Sequence, residues 1–400
     1  MAYSIEQLTP GVSESFHVAI TEELHHRFGI LSGDLSPIHQ LDEFSIHYGF
    51  QGKIGYGFFL GTLLSRMYGM HLPGGTSICM QQDLKYKLPY YVGDTLQVNS
   101  TVKSVSEAAK MVQITTVITR QNGDVVLEAT GWVKISFEAN HCVPLFEHDG
   151  QEVYAFHFEQ ALRELGVQTG DDLYIHSDIT SFGKLKCLDR KTLFGALVNA
   201  MRDVTGSTGS LIVPTFTYDF CQSGIFDLIK SKSEVGVFSE FIRTLPNAVR
   251  TDHPIFSHAI LSEQPEQYCE INADSFGDDS LFAKLVKRKA KILFLGTSFD
   301  RATLIHHAEQ QIGVPYRYIK KFDGILRKHG EEYPVESTYY VRDLNVNPTL
   351  TMAPFTAHMK DLALLKEIKI GAGKLLLINA DDFVNRAIEQ IQLNPYYFVK

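Results

Sequence analysis

The sequence predicts two domains of different class: an antiparallel sheet around one buried helix, then a layered α/β domain. The chain has 400 residues, which exceeds the roughly 100–200 residues of a typical domain. Residues 54–70 are almost entirely apolar or small, and four stretches of alternating apolar and polar residues follow them. Beyond residue 153, short apolar stretches alternate with longer amphipathic ones, a rhythm typical of α/β domains.

In the first domain, Ile54–Met70 is predicted to be a helix buried on all sides, because it contains only one charge after Lys53. The stretches predicted as strands are Ser77–Tyr86, Thr95–Val105, Met111–Thr119 and Val125–Ser136. Asn122-Gly123 between the last two predicts a hairpin with a type I′ turn.

Composition indicates a soluble globular enzyme or binding protein. The formal net charge of −9 and the pI of about 6.0 argue against a nucleic-acid-binding surface. The first ten residues lack the basic-then-apolar pattern of a secretory signal, and no apolar run approaches the length of a membrane span. Five scattered cysteines without a CxxC pair favour free thiols, a cytoplasmic location and no structural zinc site.

Asp34 and His39 are the chemical candidates of the first domain, because they flank Pro37 in a loop before the buried helix. An acid and a base in one loop can add water across a polarised double bond, one activating the water and the other giving a proton. Gly55 or Gly57 lets the backbone approach, so that an N–H at the helix start can bind a thioester oxygen. The alternative is structural: Asp34 caps a turn and His39 is a satisfied polar residue.

Residues 10–136 resemble the MaoC-like (R)-specific enoyl-CoA hydratases. The family pattern S-G-D-x-N-P-x-H, then Phe, then H-G, is matched by Ser32, Gly33, Asp34, Pro37, His39, Phe50 and Gly57, and later by Lys87, Pro89, Val92, Gly93 and Asp94. The resemblance implies a hot-dog fold that dimerises, with Asp34 and His39 catalytic and Gly57 binding the thioester oxygen. Ser36 and Tyr56 depart from the family's Asn and His.

The pattern lapses over Phe137–Val153, where a linker is predicted, so that the domains span residues 1–138 and 152–400. Beyond the linker the predicted helices are Phe158–Leu165, Leu193–Val204 and Phe238–Leu245, and the predicted strands are Leu173–His176, Leu211–Val213 and Ile292–Leu295. Sites of α/β domains lie at the ends of such strands.

His253 is the candidate base of the second domain, since it sits in a Pro-fixed turn and Glu309 could orient it. The loop from Ser177 to Gly183 follows a strand and is rich in hydroxyls, which suits an anionic ligand. Two alternatives stand beside this interpretation: the His-Pro pair is structural, or His306 and Glu309, three apart on one helix face, bind a metal.

Residues 155–325 resemble the aminoglycoside 3-N-acetyltransferases, whose pattern runs H-S-S-x-S-S-x-G, G-T-L-x-x-P-T-F, R-S-x-H-P-x-x-S and H-x-A-E. The matching residues are His176, Ser177, Ser181, Gly183; Gly209, Leu211, Pro214, Thr215, Phe216; Arg250, His253, Pro254, Ser257; and His306, Ala308, Glu309. The resemblance implies that His253 deprotonates the amine and Glu309 orients His253. It also implies that the loop of Ser177, Ser181, Phe182 and Gly183, with Thr215, holds the acyl-coenzyme A. Asp178 and Thr251 replace serines of the pattern.

Together the halves predict a CoA-dependent N-acyltransferase acting on an amino sugar, with a hydratase-like domain that makes a 3-hydroxyacyl donor. One alternative is a plain acetyl-CoA-dependent aminoglycoside N-acetyltransferase whose hot-dog domain only dimerises or binds the donor. Another is an active hydratase whose second domain only binds a carrier or partner. The expected partners are an acyl-CoA and an amine-bearing sugar, with a homodimer formed through the hot-dog domain and no metal, nucleic acid or membrane.

Overall fold

The structure is a computed structural model that describes residues 3–75, 77–135, 143–269, 273–346 and 349–399. The chain divides into two compact units, Met1–Val143 and Pro144–Lys400. Within the described residues, no helix has both the length and the apolar character needed to cross a membrane. The four cysteines in this part of the chain are free thiols, and Cys142 lies outside it.

The described residues of the first unit form five strands and four helices. The strands are β1 (Ser13–Ala19), β2 (Ser77–Tyr86), β3 (Thr95–Ser106), β4 (Met111–Arg120) and β5 (Val125–Ile135), and the helices are α1 (Glu22–Ser32), α2 (Pro37–Gln40), α3 (Asp42–His47) and α4 (Gly57–Met70). A single 3₁₀ turn, Ile5–Gln7, precedes them. All the strand pairs are antiparallel, in the order β1-β3-β4-β5-β2.

The core of this unit forms between α4 and one face of the sheet. The alternation of β3, β4 and β5 puts every second side chain inward, as the sequence predicts. Leu60, Leu64 and Met67 of α4 are almost completely buried in the same cluster. The predicted fold class is confirmed. The helix is not buried on all sides as predicted, because Phe58 and Met70 are 78% and 69% exposed. It also starts at Gly57 rather than Ile54, since residues 54–56 form an extended approach to it.

The β4–β5 hairpin differs from the predicted type I′ turn. Gly123 has a positive φ of 92°, whereas Asn122 is absent from the positive-φ residues of the described chain. The amide of Gly123 donates to the carbonyl of Arg120, and the amide of Arg120 donates to that of Asp124. This is a three-residue loop in which a right-handed turn is followed by one left-handed glycine, the next most common hairpin connection.

The second unit is organised around a seven-stranded mixed sheet in the order β12-β13-β10-β8-β14-β18-β17. Its strands are β8 (Asp172–Ser177), β10 (Ser210–Pro214), β12 (Ala248–Arg250), β13 (His258–Leu261), β14 (Lys291–Leu295), β17 (Lys366–Ile370) and β18 (Gly373–Asn379). Smaller three-stranded sheets contain β6 (Phe146–His148), β7 (Gln151–Val153) and β9 (Lys184–Leu185), and β11 (Ile225–Asp227), β15 (Arg317–Lys328) and β16 (Glu331–Arg342).

The helices of this unit follow the strands in sequence. They are α5 (Ala155–Leu165), α6 (Arg190–Thr205), α7 (Phe220–Ser223), α8 (Val237–Arg243), α9 (Glu266–Cys269), α10 (Leu281–Lys287), α11 (Ile305–Ile312), α12 (Ala353–Asp361) and α13 (Ala380–Leu393). The six predicted elements are present here, each shifted by only a few residues at its ends. Part of the predicted linker is not a linker, because β6 and β7 pair within it; its residues 137–142 lie outside the described chain.

Three adjacent strands of the large sheet, β10, β8 and β14, run parallel. Nearly every residue of these strands is buried, as expected for parallel strands covered on both faces. Their carboxyl ends therefore meet at one edge of the sheet. The loops that leave this edge start at Asp178, Thr215 and Gly296, and α11 lies further along the chain from the last of them.

Candidate functional site

A cavity of about 550 Å³ opens at the carboxyl ends of the parallel strands in the second unit. The last residue of β8, Ser177, and the first residue of the following loop, Asp178, line its wall, and the start of α11 contributes His306. The other lining residues that matter for its chemistry are His176, Thr180, Glu234, Asp300, Arg301 and Thr303. The wall thus combines imidazoles, hydroxyls and carboxylates at the edge where α/β sheets bind their ligands.

His306 and Glu309 form a hydrogen-bonded pair at this cavity. They lie three residues apart on α11 and therefore on one helix face. Nδ1 of His306 is 2.7 Å from Oε2 of Glu309. Since an ionised carboxylate only accepts hydrogen bonds, the ring carries its proton on Nδ1 and its acceptor lone pair on Nε2. The His306 side chain is 17% exposed and Glu309 is completely buried.

Glu309 stays ionised although it is buried. Burial alone favours the neutral acid, but the hydrogen bond from His306 and the positive charge of Arg317 outweigh it and lower the pKa of Glu309. Arg317 Nε is 2.7 Å from Oε2, and the Tyr316 hydroxyl donates to Oε1 at 2.8 Å. Burial, followed by the charge of Arg317, lowers the pKa of His306. The imidazole is therefore neutral near pH 7 and able to accept a proton.

His253 occupies a different environment from the one that the sequence predicted. Its Nδ1 accepts the backbone N–H groups of Phe256, at 2.9 Å, and Ile255, at 3.3 Å. Its Nε2 lies 3.3 Å from the hydroxyls of Ser275 and Ser337. Burial lowers the pKa of His253 to about 4, so the ring is a neutral element of the protein interior.

Two parts of the sequence-based interpretation are corrected here. No hydrogen bond joins Glu309 to His253 among the described residues, because the carboxylate is committed to His306, Tyr316 and Arg317. His253 is also absent from the cavity wall. The His-Pro turn thus fits the structural alternative. The sequence pattern assigned His306 no role as a base, although its spacing of three from Glu309 predicted that the two side chains share a helix face.

The rest of the Arg250–His258 stretch holds the backbone together. Arg250 is 8% exposed and donates to the carbonyls of Thr215, Leu228 and Ser231. The Ser257 hydroxyl also donates to the carbonyl of Thr215, at 2.7 Å. These bonds tie the loop after β10 to the residues before β13, which fixes one wall of the cavity.

The predicted coenzyme-binding residues separate into two groups. Ser177 lines the cavity, whereas Ser181, Phe182, Gly183 and Thr215 are not among the lining residues of the described chain. Phe182 and Thr215 are completely buried, and the Ser181 hydroxyl donates to the carbonyl of Asp178 at 2.9 Å. These four residues shape the loop and the strand end, while Ser177, Asp178 and Thr180 face the cavity.

His176 is a cavity-lining residue to which the sequence analysis gave no role of its own. It is the penultimate residue of β8, and its Nε2 has no hydrogen-bond partner among the described residues. Burial lowers its pKa to about 3, so it is neutral. The ring stacks on Phe294, with centroids 5.4 Å apart.

The first unit brings Asp34 and His39 close together, with His39 on the one-turn helix α2 rather than in the predicted loop. Nδ1 of His39 donates to the carbonyl of Ile54 at 2.8 Å, since a carbonyl only accepts. Nε2 of the ring, which carries the lone pair in the neutral form, lies 3.7 Å from Oδ2 of Asp34. This separation exceeds a hydrogen bond, so a small polar group can bind to both. Hydrogen bonds from Ser36 lower the pKa of Asp34, which keeps it ionised.

Gly57 begins α4 close to this pair. No side-chain cap is present at the helix start, and the N–H of Phe59 donates to the carbonyl of Tyr56 at 3.1 Å. The N–H groups of Gly57 and Phe58 are the donors of this turn that can face a ligand oxygen. The preceding turn is packed tightly, because a Cβ at Gly55 would lie 2.2 Å from the Tyr90 ring. The Tyr90 hydroxyl donates to the carbonyl of Tyr56 at 2.8 Å. A backbone donor, a base and a carboxylate are thus available in one unit.

Within the part of the chain that the structure describes, no group of three or more histidine, cysteine or acidic side chains is arranged to hold a metal ion. Glu309 instead binds an arginine and a tyrosine. His306 and Glu309 form a hydrogen-bonded imidazole–carboxylate pair.

Both units match known protein families. Residues 174–392 match the family described as Aminoglycoside 3-N-acetyltransferase, and residues 8–122 match the MaoC like domain. The aminoglycoside N(3)-acetyltransferase IX of Micromonospora chalcea is 26% identical over 277 residues, covering 62% of this chain and 96% of that protein. The (R)-specific enoyl-CoA hydratase of Aeromonas caviae is 31% identical over 131 residues, covering 31% of this chain and 98% of that protein.

Solved structures of aminoglycoside acetyltransferases are similar to the second unit. The apoenzyme of aminoglycoside acetyltransferase AAC(3)-IVa is 25% identical with a TM-score of 0.50, covering 61% of this chain and 90% of that one. The fold of AAC-IIIb, solved with CoASH, is similar at a TM-score of 0.53 and 22% identity, covering 60% and 97%. The family match spans more than half of the 400 residues. The chain therefore belongs to the aminoglycoside 3-N-acetyltransferase family and carries a MaoC-like domain ahead of the acetyltransferase domain.

Proposed function

We propose that the second unit transfers an acyl group from a coenzyme A thioester to an amino group of an amino sugar, with His306 as the general base. The observation that carries the proposal is the His306–Glu309 pair, in which a buried carboxylate fixes the ring through Nδ1 at 2.7 Å. Nε2 is left as the proton acceptor at the cavity. The acetyltransferase relatives support acyl transfer to an amine.

In the proposed reaction, one imidazole takes a proton from the attacking amine and gives it to the departing thiolate. An amine that is mostly protonated at neutral pH must lose a proton before it can attack a thioester. One proton of the ammonium passes to solvent, and Nε2 of His306 takes a second proton from the neutral amine as its nitrogen bonds to the thioester carbonyl carbon. The carbon–sulfur bond then breaks, and the thiolate leaves with the proton as free coenzyme A. Glu309 stabilises the transient imidazolium, as the carboxylate of a catalytic triad does.

A thiol-release assay tests this proposal. The whole protein would be supplied with acetyl-CoA, crotonyl-CoA or 3-hydroxybutyryl-CoA, and with an aminoglycoside or a set of amino-sugar nucleotides. Amine-dependent release of thiol is expected with at least one donor. Release that no amine stimulates would contradict the proposed transfer.

For the first unit we propose hydration of a short 2-enoyl-CoA to a 3-hydroxyacyl-CoA. The 3.7 Å separation of His39 Nε2 and Asp34 Oδ2 suits a water that donates to both groups. The pair takes a proton from this water as its oxygen bonds to Cβ, and a proton is returned to Cα. The N–H groups at Gly57 stabilise the charge on the thioester oxygen. The hydratase relatives support this chemistry.

We further propose that the two reactions are consecutive, so that the hydroxyacyl product of the first unit is the donor for the second. The support is that both families act on acyl thioesters and that one chain contains both. Crotonyl-CoA plus the amine should yield a hydroxyacylated sugar, and Asp34→Asn should abolish this while leaving transfer from 3-hydroxybutyryl-CoA intact. An enzyme that uses acetyl-CoA but never 3-hydroxyacyl-CoA would rule out the coupling.

One observation favours a second role for the first unit, namely assembly of a homodimer. Strand β2 lies at the edge of its sheet, and Ile78 and Met80 on it are 49% and 58% exposed. An apolar edge strand is a template for pairing with another copy. Light scattering should give the mass of a dimer, and Met80→Lys should shift it towards the monomer. In a plain acetyltransferase, this would be the unit's only task.

A further inference from the structure

The departure from the hydratase pattern at Tyr56 has a structural explanation. Tyr56 is the residue before α4 and is only 3% exposed. Its hydroxyl donates to the backbone carbonyl of Asp34 at 3.0 Å and accepts from Nε2 of Gln40 at 2.7 Å. Burial raises its pKa, so the hydroxyl keeps its proton and remains a donor.

The ring of Tyr56 also touches the second member of the pair. Its centroid is 4.2 Å from that of His39, at a tilt of 32°, and 4.8 Å from that of His25. His25 in turn donates from Nε2 to the backbone carbonyl of His39 at 2.7 Å. Because Tyr56 is covalently bonded to Gly57, one side chain connects the carboxylate loop, the imidazole and the helix start.

Space for this arrangement is provided by Gly29 on α1. A Cβ at Gly29 would lie 2.5 Å from the Tyr56 hydroxyl oxygen and 3.3 Å from Cζ. The first distance is too short for any real contact, whereas the second requires a shift of only a few tenths of an ångström. Gly29 and the hydroxyl of Tyr56 are therefore matched to each other.

We propose that Tyr56 is a positioning residue of the hydratase site, which holds Asp34, His39 and the helix start at Gly57 in one geometry. This inference rests on the proposed hydration. The hydratase pattern has a histidine where this chain has Tyr56, and the replacement could be taken to disable the site. The contacts of Tyr56 with Asp34 and His39 argue instead that it supports the site.

The first test is crotonyl-CoA hydration, followed by loss of ultraviolet absorbance. Tyr56→Phe keeps the ring contacts and removes the hydrogen bond to Asp34. It should lower kcat about 10- to 100-fold with little change in KM, because misplacing a reacting group penalises the transition state more than binding. Tyr68→Phe is the matched control, since it removes another buried phenol bond, to Gln82 at 2.7 Å, away from the pair. Equal losses in the two variants would overturn the proposal.

Coupling with Gly29 gives a second test. Gly29→Ala should lower kcat in the wild type, because the methyl group displaces the Tyr56 hydroxyl. The same substitution should have a much smaller effect in Tyr56→Phe, which lacks the crowded oxygen. Additive effects in the double variant would mean that Gly29 and the hydroxyl act independently, contrary to the proposal.

A wild-type protein that does not hydrate crotonyl-CoA would refute the proposed hydration but not yet the positioning. Amide hydrogen exchange then tests the positioning role without any turnover. It reports on the loop directly, because the amide of Ser36 donates to Oδ1 of Asp34 at 3.1 Å. Tyr56→Phe should speed exchange over residues 34–40 relative to wild type, and Tyr68→Phe should not. Unchanged exchange in Tyr56→Phe would overturn the positioning role.

Discussion

The choice between His306 and His253 as the transferase base can be tested by making the same substitution at each. Asn places its amide group near the position of the imidazole Nδ1 and has nothing at Nε2. In His306→Asn the amide can still donate to Glu309, and Arg317 stays paired. Loss of a general base costs about 10²- to 10⁴-fold in rate, which is roughly 3–5 kcal/mol of transition-state stabilisation.

His253→Asn has the opposite expected profile. Its side-chain oxygen can still accept the N–H of Phe256, but the contacts of Nε2 with Ser275 and Ser337 are lost in the interior. A buried polar group left unpaired costs about 1–3 kcal/mol. For a unit of this size, that lowers the midpoint of thermal unfolding by about 2–12 °C. Turnover of the folded protein should stay within about threefold of wild type, since the ring does not line the cavity.

The assay is amine-dependent thiol release at saturating donor, paired with calorimetric unfolding of each variant. His306→Asn should have the melting temperature of the wild type, which would show that its loss of turnover does not come from unfolding. The reasoning is refuted if His253→Asn loses turnover at full stability while His306→Asn remains active.

Three further outcomes are expected. Glu309→Gln leaves Arg317 buried without its carboxylate, so it should destabilise the protein by about 3–5 kcal/mol and reduce turnover, as urea unfolding and thiol release would measure. The pKa of His253, about 4 in the folded protein against an ordinary 6.5, means that its contribution to stability is complete above pH 6.5 and lost as pH falls towards 4. The unfolding free energy, measured by urea titration at several pH values in that range, should rise less steeply with pH in His253→Asn, by up to about 1.4 kcal/mol per pH unit. The same slope in both proteins would contradict the burial argument. Because burial also lowers the pKa of His306 from 6.5, the transferase rate should decline only when the pH drops below 6.5. This decline should be absent in His306→Asn. A decline that already begins above pH 7 would count against His306 as the base.

Local patterns predicted the central strands of each unit and some of their helices. The alternation of Thr95–Ser106 and its neighbours, and the apolar run before Met70, predict strands and a helix without knowledge of their partners. The long hairpin of β15 and β16 was not predicted. Only a few positions of its two strands are buried. Strands that bury little apolar surface show no clear alternation of apolar and polar residues.

The sequence by itself determined the two fold classes, the order of the motifs and the small set of residues able to do acid–base chemistry. It also placed Asp34 and His39 in one short loop, where proximity along the chain guarantees proximity in space. Only the tertiary structure decided which imidazole of the second unit has an acceptor nitrogen at the cavity. His253 and His306 are the same residue type in equally characteristic motifs. Their environments differ because two backbone N–H groups donate to Nδ1 of His253, whereas Nδ1 of His306 donates to a buried carboxylate and His306 lines the cavity.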